Sequence, residues 1–315
     1  MRNFAKKITT LCTFIWAMGL ASASQGASLI VGIAPSIPEP TPTFVEIKAD
    51  SKKKRFQKAH YRKIPPAQSK KEAWQAVIDY LKAETKLNLA LEEASSQLDF
   101  ELKLAKGYFD FAYVTPTQFA AFNPHPGYKA VAKRKAQPLR GIVVAKKGGA
   151  ITTLRLLEEK VIVFPGLLDF PGSIVPRQSL SELNFPIKPQ FVASQARVYE
   201  SVIDGRYLAG AGTNESFETL PPETRNQLHI IWDTPGYTPY AFAAHPRVPF
   251  FSIIKMQRAM VGMTKTEQGK KLLPYIFVKN GFETAKDADW HDAKNIDLHT
   301  LNNVSNSQPS HQNEN

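Results

Sequence analysis

The sequence predicts an α/β fold, with mainly parallel sheets flanked by helices, and three observations carry that prediction. Short apolar runs at 29–34, 109–114 and 161–164 leave no room for an exposed helical face and suit buried strands. Between such runs lie segments with helical spacing, such as Trp74, Val77, Ile78 and Leu81 at i, i+3, i+4 and i+7. The junctions carry helix punctuation: Gly107 closes one helix, and Thr115-Pro116 opens the next. Strands alternating with helices pair mainly in parallel and deliver their C-terminal residues to a crevice where ligands bind. No internal repeat is visible.

In chain order, the strand at 29–34 ends in the loop Pro35-Ser36, where Ser36 is either a ligand contact or merely solvated. The stretch 37–69 is rich in proline and lysine without a sustained period, and reads as a long surface loop. A helix begins at Lys70, a strand covers 88–92, and Ser96 with Asp99 caps the helix that ends at Gly107. The strand at 109–114 presents Tyr113 and then Thr115, and Tyr113 either packs in the core or faces a cleft. Strands at 128–133 and 139–145 flank the junction Gln137-Pro138. A short helix through Leu157 and the strand at 161–164 follow. A helix over 173–183 tolerates Pro176 only if that residue lies in its first turn. A strand at 191–193, a helix from Ser194 to Gly205, and strands at 207–211 and 229–232 come next. A strand at 240–244 and helices at 250–263 and 265–276 complete the series.

The ends predict a compartment. Arg2, Lys6 and Lys7 precede an almost uncharged apolar run at 8–20 and the small-residue site Ala21-Ser22-Ala23, the layout of a cleaved secretory signal over 1–23. That run is shorter than the roughly 20 residues of a membrane span, so a soluble periplasmic chain is expected. Cys12, the single cysteine, lies in the signal, which excludes disulfides, thiolate metal sites and cysteine catalysis from the mature protein. The net charge of +12 is local. Ten Lys and Arg residues against Asp50 alone fall in 48–71, matching the whole excess left once the signal is removed. Phe56, His60 and Tyr61 interleave with those charges, a pattern suited to an anionic envelope surface as well as to a solvated loop. Nucleic acid is not an expected partner for an exported chain. The tail from 293 onward is polar and is expected to be disordered.

Catalytic and cofactor signatures are missing. His125, His229, His245 and His291 share no metal-ligand spacing, so no metal is expected. Gly210-Ala211-Gly212-Thr213-Asn214 lacks the lysine and spacing of a P-loop, and reads as a turn into a helix capped by Thr213. No cofactor and no enzymatic activity are expected.

Four stretches carry a resemblance. Phe100 to Pro116, with Gly107, Asp110, Phe111 and Ala112, resembles the "gk-x-D-f-a-w-x-g-P" segment of periplasmic substrate-binding proteins of phosphate, phosphite and phosphonate ABC transporters. Pro138 to Lys146 with Ile151, Leu154 and Leu157, then Lys160 to Phe164, and then Ser194, Val202, Gly205 and Gly210, are similar to later family segments in the same order. The resemblance implies a two-lobe type II periplasmic-binding fold with a ligand cleft between lobes. The first lobe would comprise 24–136 and 240–292, with the basic insertion at 37–71, and the second 137–239. It also implies a solute-binding protein that closes around a small molecule for an ABC permease or a sensor. The alternative is a repurposed scaffold whose loop at 48–71 contacts envelope polyanions while the cleft is vestigial.

The same resemblance proposes the site, and departs from the family within it. The family's oxyanion-gripping "S-T-S-G" loop falls on Asp169-Phe170-Pro171-Gly172, with Ser173 just beyond. Its histidine falls on Gln195 and its aspartate on Leu208. A carboxylate in that loop repels a phosphonate, so the expected ligand is amine-bearing or zwitterionic, unless Asp169 is a plain turn residue. Ser36, Tyr113, Thr115, Asp169, Ser173, Gln195 and Thr213 are the candidate contacts, with Tyr237 on a junction at 235–239 as a lid or a plain turn.

Overall fold

The computed structural model of the chain describes residues 27–35, 43–46, 61–64 and 69–296. Ser36, the signal segment, most of the basic stretch and the end beyond 296 lie outside the described residues.

The first sheet begins with β1 (Leu29–Ile33). The next two strands, β2 (Thr43–Glu46) and β3 (Tyr61–Ile64), form an antiparallel ribbon of their own. This corrects the reading of 37–69 as loop alone: Thr43-Phe44-Val45-Glu46 and Tyr61-Arg62-Lys63-Ile64 have β-branched and aromatic content that two short strands can use. Helix α1 (Lys70–Thr85) is capped by Ser69, whose side chain accepts from the Glu72 N–H, and it buries the Trp74, Val77, Ile78 and Leu81 stripe. Strand β4 (Leu89–Glu92), helix α2 (Gln97–Ala105), strand β5 (Phe111–Val114), helix α3 (Pro116–Phe122) and strand β6 (Lys129–Arg134) complete this first passage.

The chain then builds a second sheet from β7 (Gly141–Lys146), β8 (Val161–Phe164), β9 (Lys188–Phe191), β10 (Ala209–Thr213) and β11 (Leu228–Asp233). Its helices are α4 (Val175–Glu182), α5 (Gln195–Ile203), α6 (Asn214–Glu218) and α7 (Pro222–Arg225). It returns through β12 (Ala241–Ala244), α8 (Phe250–Gly262), α9 (Glu267–Leu272), β13 (Phe282–Thr284) and a 3₁₀ segment, Asp287–Ala293. The strand orders are β13-β6-β12-β5-β1-β4 and β11-β7-β10-β8-β9.

Helices flank both sheets as expected, but the pairing is mixed rather than mainly parallel. β1 pairs in parallel with β4 and β5, and β8 with β9 and β10. β7 and β12 each run antiparallel to both neighbours, because each is laid down by chain that has just crossed between sheets. The predicted strands at 207–211 and 191–193 shift to β10 and β9. The predicted helix at 265–276 divides into α9 and a 3₁₀ turn, Leu273–Ile276, at Pro274.

The two crossings run side by side. Leu139 and Tyr237 bridge them, with the Leu139 N–H donating to the Tyr237 carbonyl at 2.8 Å and the reverse bond at 2.9 Å. Residues 287–296 brace this seam. The Thr238 N–H and hydroxyl both donate to the Asp292 carboxylate, and Trp290 Nε1 donates to the Pro239 carbonyl at 2.8 Å. Ala293 is buried, Ile296 packs on the core, and Gln178 of α4 donates to the Asn295 carbonyl, so residues 293–296 are part of the fold and not of the expected tail. One apolar core runs from α1 through the first sheet to Phe170 and Val175 of the second lobe, which ties the lobes at this seam.

Candidate functional site

Four second-lobe candidates arise on elements that end at the seam. Asp169 caps a π-helical turn, Phe170–Ile174, that runs directly into α4. Pro176 falls in the first turn of α4, as the sequence requires, where its missing N–H costs that helix no bond. Asp169 Oδ1 accepts from the Gly172 N–H at 2.8 Å, and Oδ2 accepts from Gln195 Nε2 at 3.3 Å. Gln195 Oε1 in turn accepts from the Thr213 hydroxyl at 3.3 Å. Thr213 caps α6, accepting from the Ser216 N–H. The structure therefore joins Asp169, Gln195 and Thr213 in one chain of hydrogen bonds.

The carboxylate at the head of that chain is unusual. Burial pushes the Asp169 carboxyl up to about 6, with the Gly172 and Gln195 bonds opposing the rise. No Lys, Arg or His among the described residues pairs with it. Its charge reaches across the seam: it is among the groups that raise the Tyr240 hydroxyl, after burial itself. Ser173 is fully buried, and its Oγ has no hydrogen-bond partner among the described residues.

The first-lobe candidates behave differently. Tyr113 is a core residue, 1% exposed, with its ring against Trp74, Tyr240 and Phe282. Thr115 is committed to a capping box on α3: its Oγ1 accepts from the Gln118 N–H while its own N–H donates to Gln118 Oε1. Neither contacts the Asp169 chain. Tyr237 is half-buried on the second crossing, edge-on to Phe170 at 5.9 Å between ring centres.

Sequence reasoning missed the strongest first-lobe group. Arg134 ends β6 at the first crossing and is 3% exposed. Its Nη1 donates to the Phe277 carbonyl at 3.0 Å, holding a non-glycine residue at φ 58°. Its guanidinium lies 5.6 Å from the Tyr240 ring centre. Nη2 stands 2.9 Å from Glu215 Oε2 in the first turn of α6, an ion pair that spans the two lobes. Burial opposes the charge of Arg134, but Glu215, Tyr113 and Tyr240 together raise its pKa. The available signal was a cation at a strand end beside a predicted crossing.

A depression of about 460 Å³ lies elsewhere, between the end of β9 and α5, lined by Val192, Ala193, Arg197, Ser201, Arg206 and Tyr207. Its two arginines are already paired, with Glu200 and Asp204 respectively. Among the described residues no cluster of His, Cys, Asp and Glu suits a metal, and no helix is long and apolar enough to cross a membrane.

Residues 64–290 match the family of ABC transporter phosphonate periplasmic substrate-binding proteins. The chain belongs to that family. Its members are periplasmic solute-binding components of ABC transporters, and this chain is one of them. No curated protein matches the sequence. The fold of this substrate-binding protein is shared with XAC2383 from Xanthomonas citri, solved with chloride, at 12% identity and a TM-score of 0.65, covering 89% of this chain and 99% of that one. It is also shared with PhnD1 from Prochlorococcus marinus in complex with methylphosphonate, at 13% identity and a TM-score of 0.64, covering 89% and 98%. A binding protein component of an ABC phosphonate transporter from Pseudomonas aeruginosa matches at 12% identity and a TM-score of 0.62, covering 91% and 90%.

Proposed function

We propose that this family member is exported through a cleaved signal at 1–23 and closes its two lobes on a small amine-bearing, most simply zwitterionic, solute for an ABC permease. The observation that carries the reading is the Asp169 carboxylate: partly buried, pushed up to about 6, and without a cationic partner among the described residues. An unpaired carboxylate in a low-dielectric seam is costly, and an ammonium beside it removes that cost by supplying the missing charge. A doubly charged phosphonate without an amine meets repulsion at the same place. Gln195 and Thr213 orient the carboxylate, and Ser173 offers a further hydroxyl. Binding, rather than catalysis, is the role this arrangement supports. No observation favours the polyanion-scaffold alternative.

Isothermal titration with 2-aminoethylphosphonate and methylphosphonate tests this. The first is expected to bind and to raise the thermal midpoint, with Asp169→Asn weakening it about tenfold through loss of a charge-assisted contact. Methylphosphonate at millimolar concentration is expected to leave the midpoint unchanged. Equal affinity for both probes, indifferent to Asp169→Asn, would overturn the amine reading.

A further inference from the structure

We infer that Arg134 is the receptor for the acidic end of the solute, and that Glu215 is an internal anion that occupies this receptor until the solute displaces it. The inference rests on reading the seam as the ligand site, and assigns a residue and a ligand group to it.

An arginine presents its strongest recognition edge through Nε and the neighbouring Nη2, two parallel N–H groups that match the two oxygens of a carboxylate or phosphonate. In Arg134 those two nitrogens are the buried ones without a hydrogen-bond partner among the described residues. The remaining nitrogen, Nη1, is anchored on the Phe277 carbonyl, which fixes the plane of the group. Glu215 comes within 2.9 Å of Nη2, but the contact is an ion pair without hydrogen-bond alignment, and Nε receives nothing. The pair is thus satisfied in charge and unsatisfied in direction. A buried guanidinium left in that condition has donors to offer an oxyanion that arrives in plane.

Glu215 is placed to leave. Its side chain is 38% exposed and stands in the first turn of α6, whose start is tied to the first crossing by the Asn214 and Arg140 backbone. Swinging outward returns its carboxylate to water, and the arriving oxyanion takes its place beside the buried guanidinium, which is therefore not left unpaired. Arg134 and Asp169 both act electrostatically on Tyr240, from opposite lobes. The competition sets specificity: an acid that engages Nε and Nη2 together displaces Glu215, whereas one that offers a single poorly placed oxygen does not.

The test uses an acid without an amine in chains that all carry Asp169→Asn, so its outcome is independent of the role proposed for Asp169. The full chain carrying Asp169→Asn and Glu215→Gln, which removes repulsion and competitor together, is titrated with methylphosphonate and followed by thermal midpoint and calorimetry. Binding at least tenfold tighter than in the chain carrying Asp169→Asn alone is expected, and adding Arg134→Gln should abolish it. Should that triple variant not fold by circular dichroism, Arg134→Lys keeps the charge without the two-pronged edge and should lose at least tenfold. Failure of the double variant to gain affinity, or a gain that survives replacement of Arg134, overturns the inference. Gain here with no binding of 2-aminoethylphosphonate to the wild-type chain would leave Arg134 as the receptor and discard only the amine reading.

Discussion

Two arginine–carboxylate pairs sit at opposite ends of the first sheet, and they are built differently. At the end remote from the seam, Asp110 precedes β5. It accepts from the Ile30 N–H at 2.7 Å and from Arg247 Nε at 2.7 Å. The other Arg247 nitrogens donate to the Gly107 and Tyr108 carbonyls. Each of the three nitrogens of that guanidinium donates to a protein oxygen, and it locks the turn before β5 to the turn before α8. At the seam end, Arg134 is more deeply buried and yet leaves its recognition edge unfilled. The same two functional groups make a fastening in one place and an unfinished contact in the other. Hydrogen-bond direction, more than charge or burial, separates a structural pair from a binding one.

The contrast can be broken experimentally. Asp110→Ala strands Arg247 and the Ile30 N–H, and is expected to cost about 3 kcal/mol in urea denaturation. A loss under about 1 kcal/mol would show that the remote pair is no more structural than the seam pair. An intermediate effect concerns Asp169. Its folded pKa of about 6 lies above its ordinary value of 3.8, so the folded chain holds this proton more tightly than the unfolded chain does. The resulting stabilisation is complete below about pH 4 and lost as pH rises through 6; the full shift corresponds to about 3 kcal/mol, and partial solvent exposure of the carboxyl reduces the loss to about 1–2 kcal/mol. Asp169→Asn, which keeps an acceptor for the Gly172 N–H, should remove that dependence; stability-versus-pH curves that superimpose for the two chains would exclude an unpaired carboxylate. The smallest effect is expected for Arg134→Gln, at under about 1 kcal/mol of either sign, because a misaligned buried pair contributes little net stability. A loss matching that of Asp110→Ala would make Arg134 a fastening after all.

Much of this architecture was legible because it rests on local rules. The Trp74-Val77-Ile78-Leu81 stripe, the Ser96, Thr115 and Ser194 caps and the apolar run at 161–164 state their structure within a few residues. The Asp169-Gln195-Thr213 chain was also accessible, since each residue closes a strand or opens a helix. Mixed pairing was not legible, because it depends on where the crossings deliver β7 and β12. Tyr113 was ambiguous for a physical reason: the end of a strand lies beside both core and seam, and only the positions of Trp74, Tyr240 and Phe282 decide between them. The pairing of Arg134 with Glu215 joins residues 81 apart in sequence across two lobes, and no local pattern encodes such a meeting.

The brace formed by 287–296 has a practical consequence. Gln178 on α4 of the second lobe holds the Asn295 carbonyl, while Asp287 and Asp289 of the same brace are ion-paired to Lys129 and Lys133 on β6 of the first. Any rotation of one lobe against the other must stretch or release the Gln178 contact while the lysine pairs hold. A fluorophore attached at Asn295 therefore rides with the first lobe and faces the moving edge of the second, which makes that position a natural handle for an optical sensor of solute uptake.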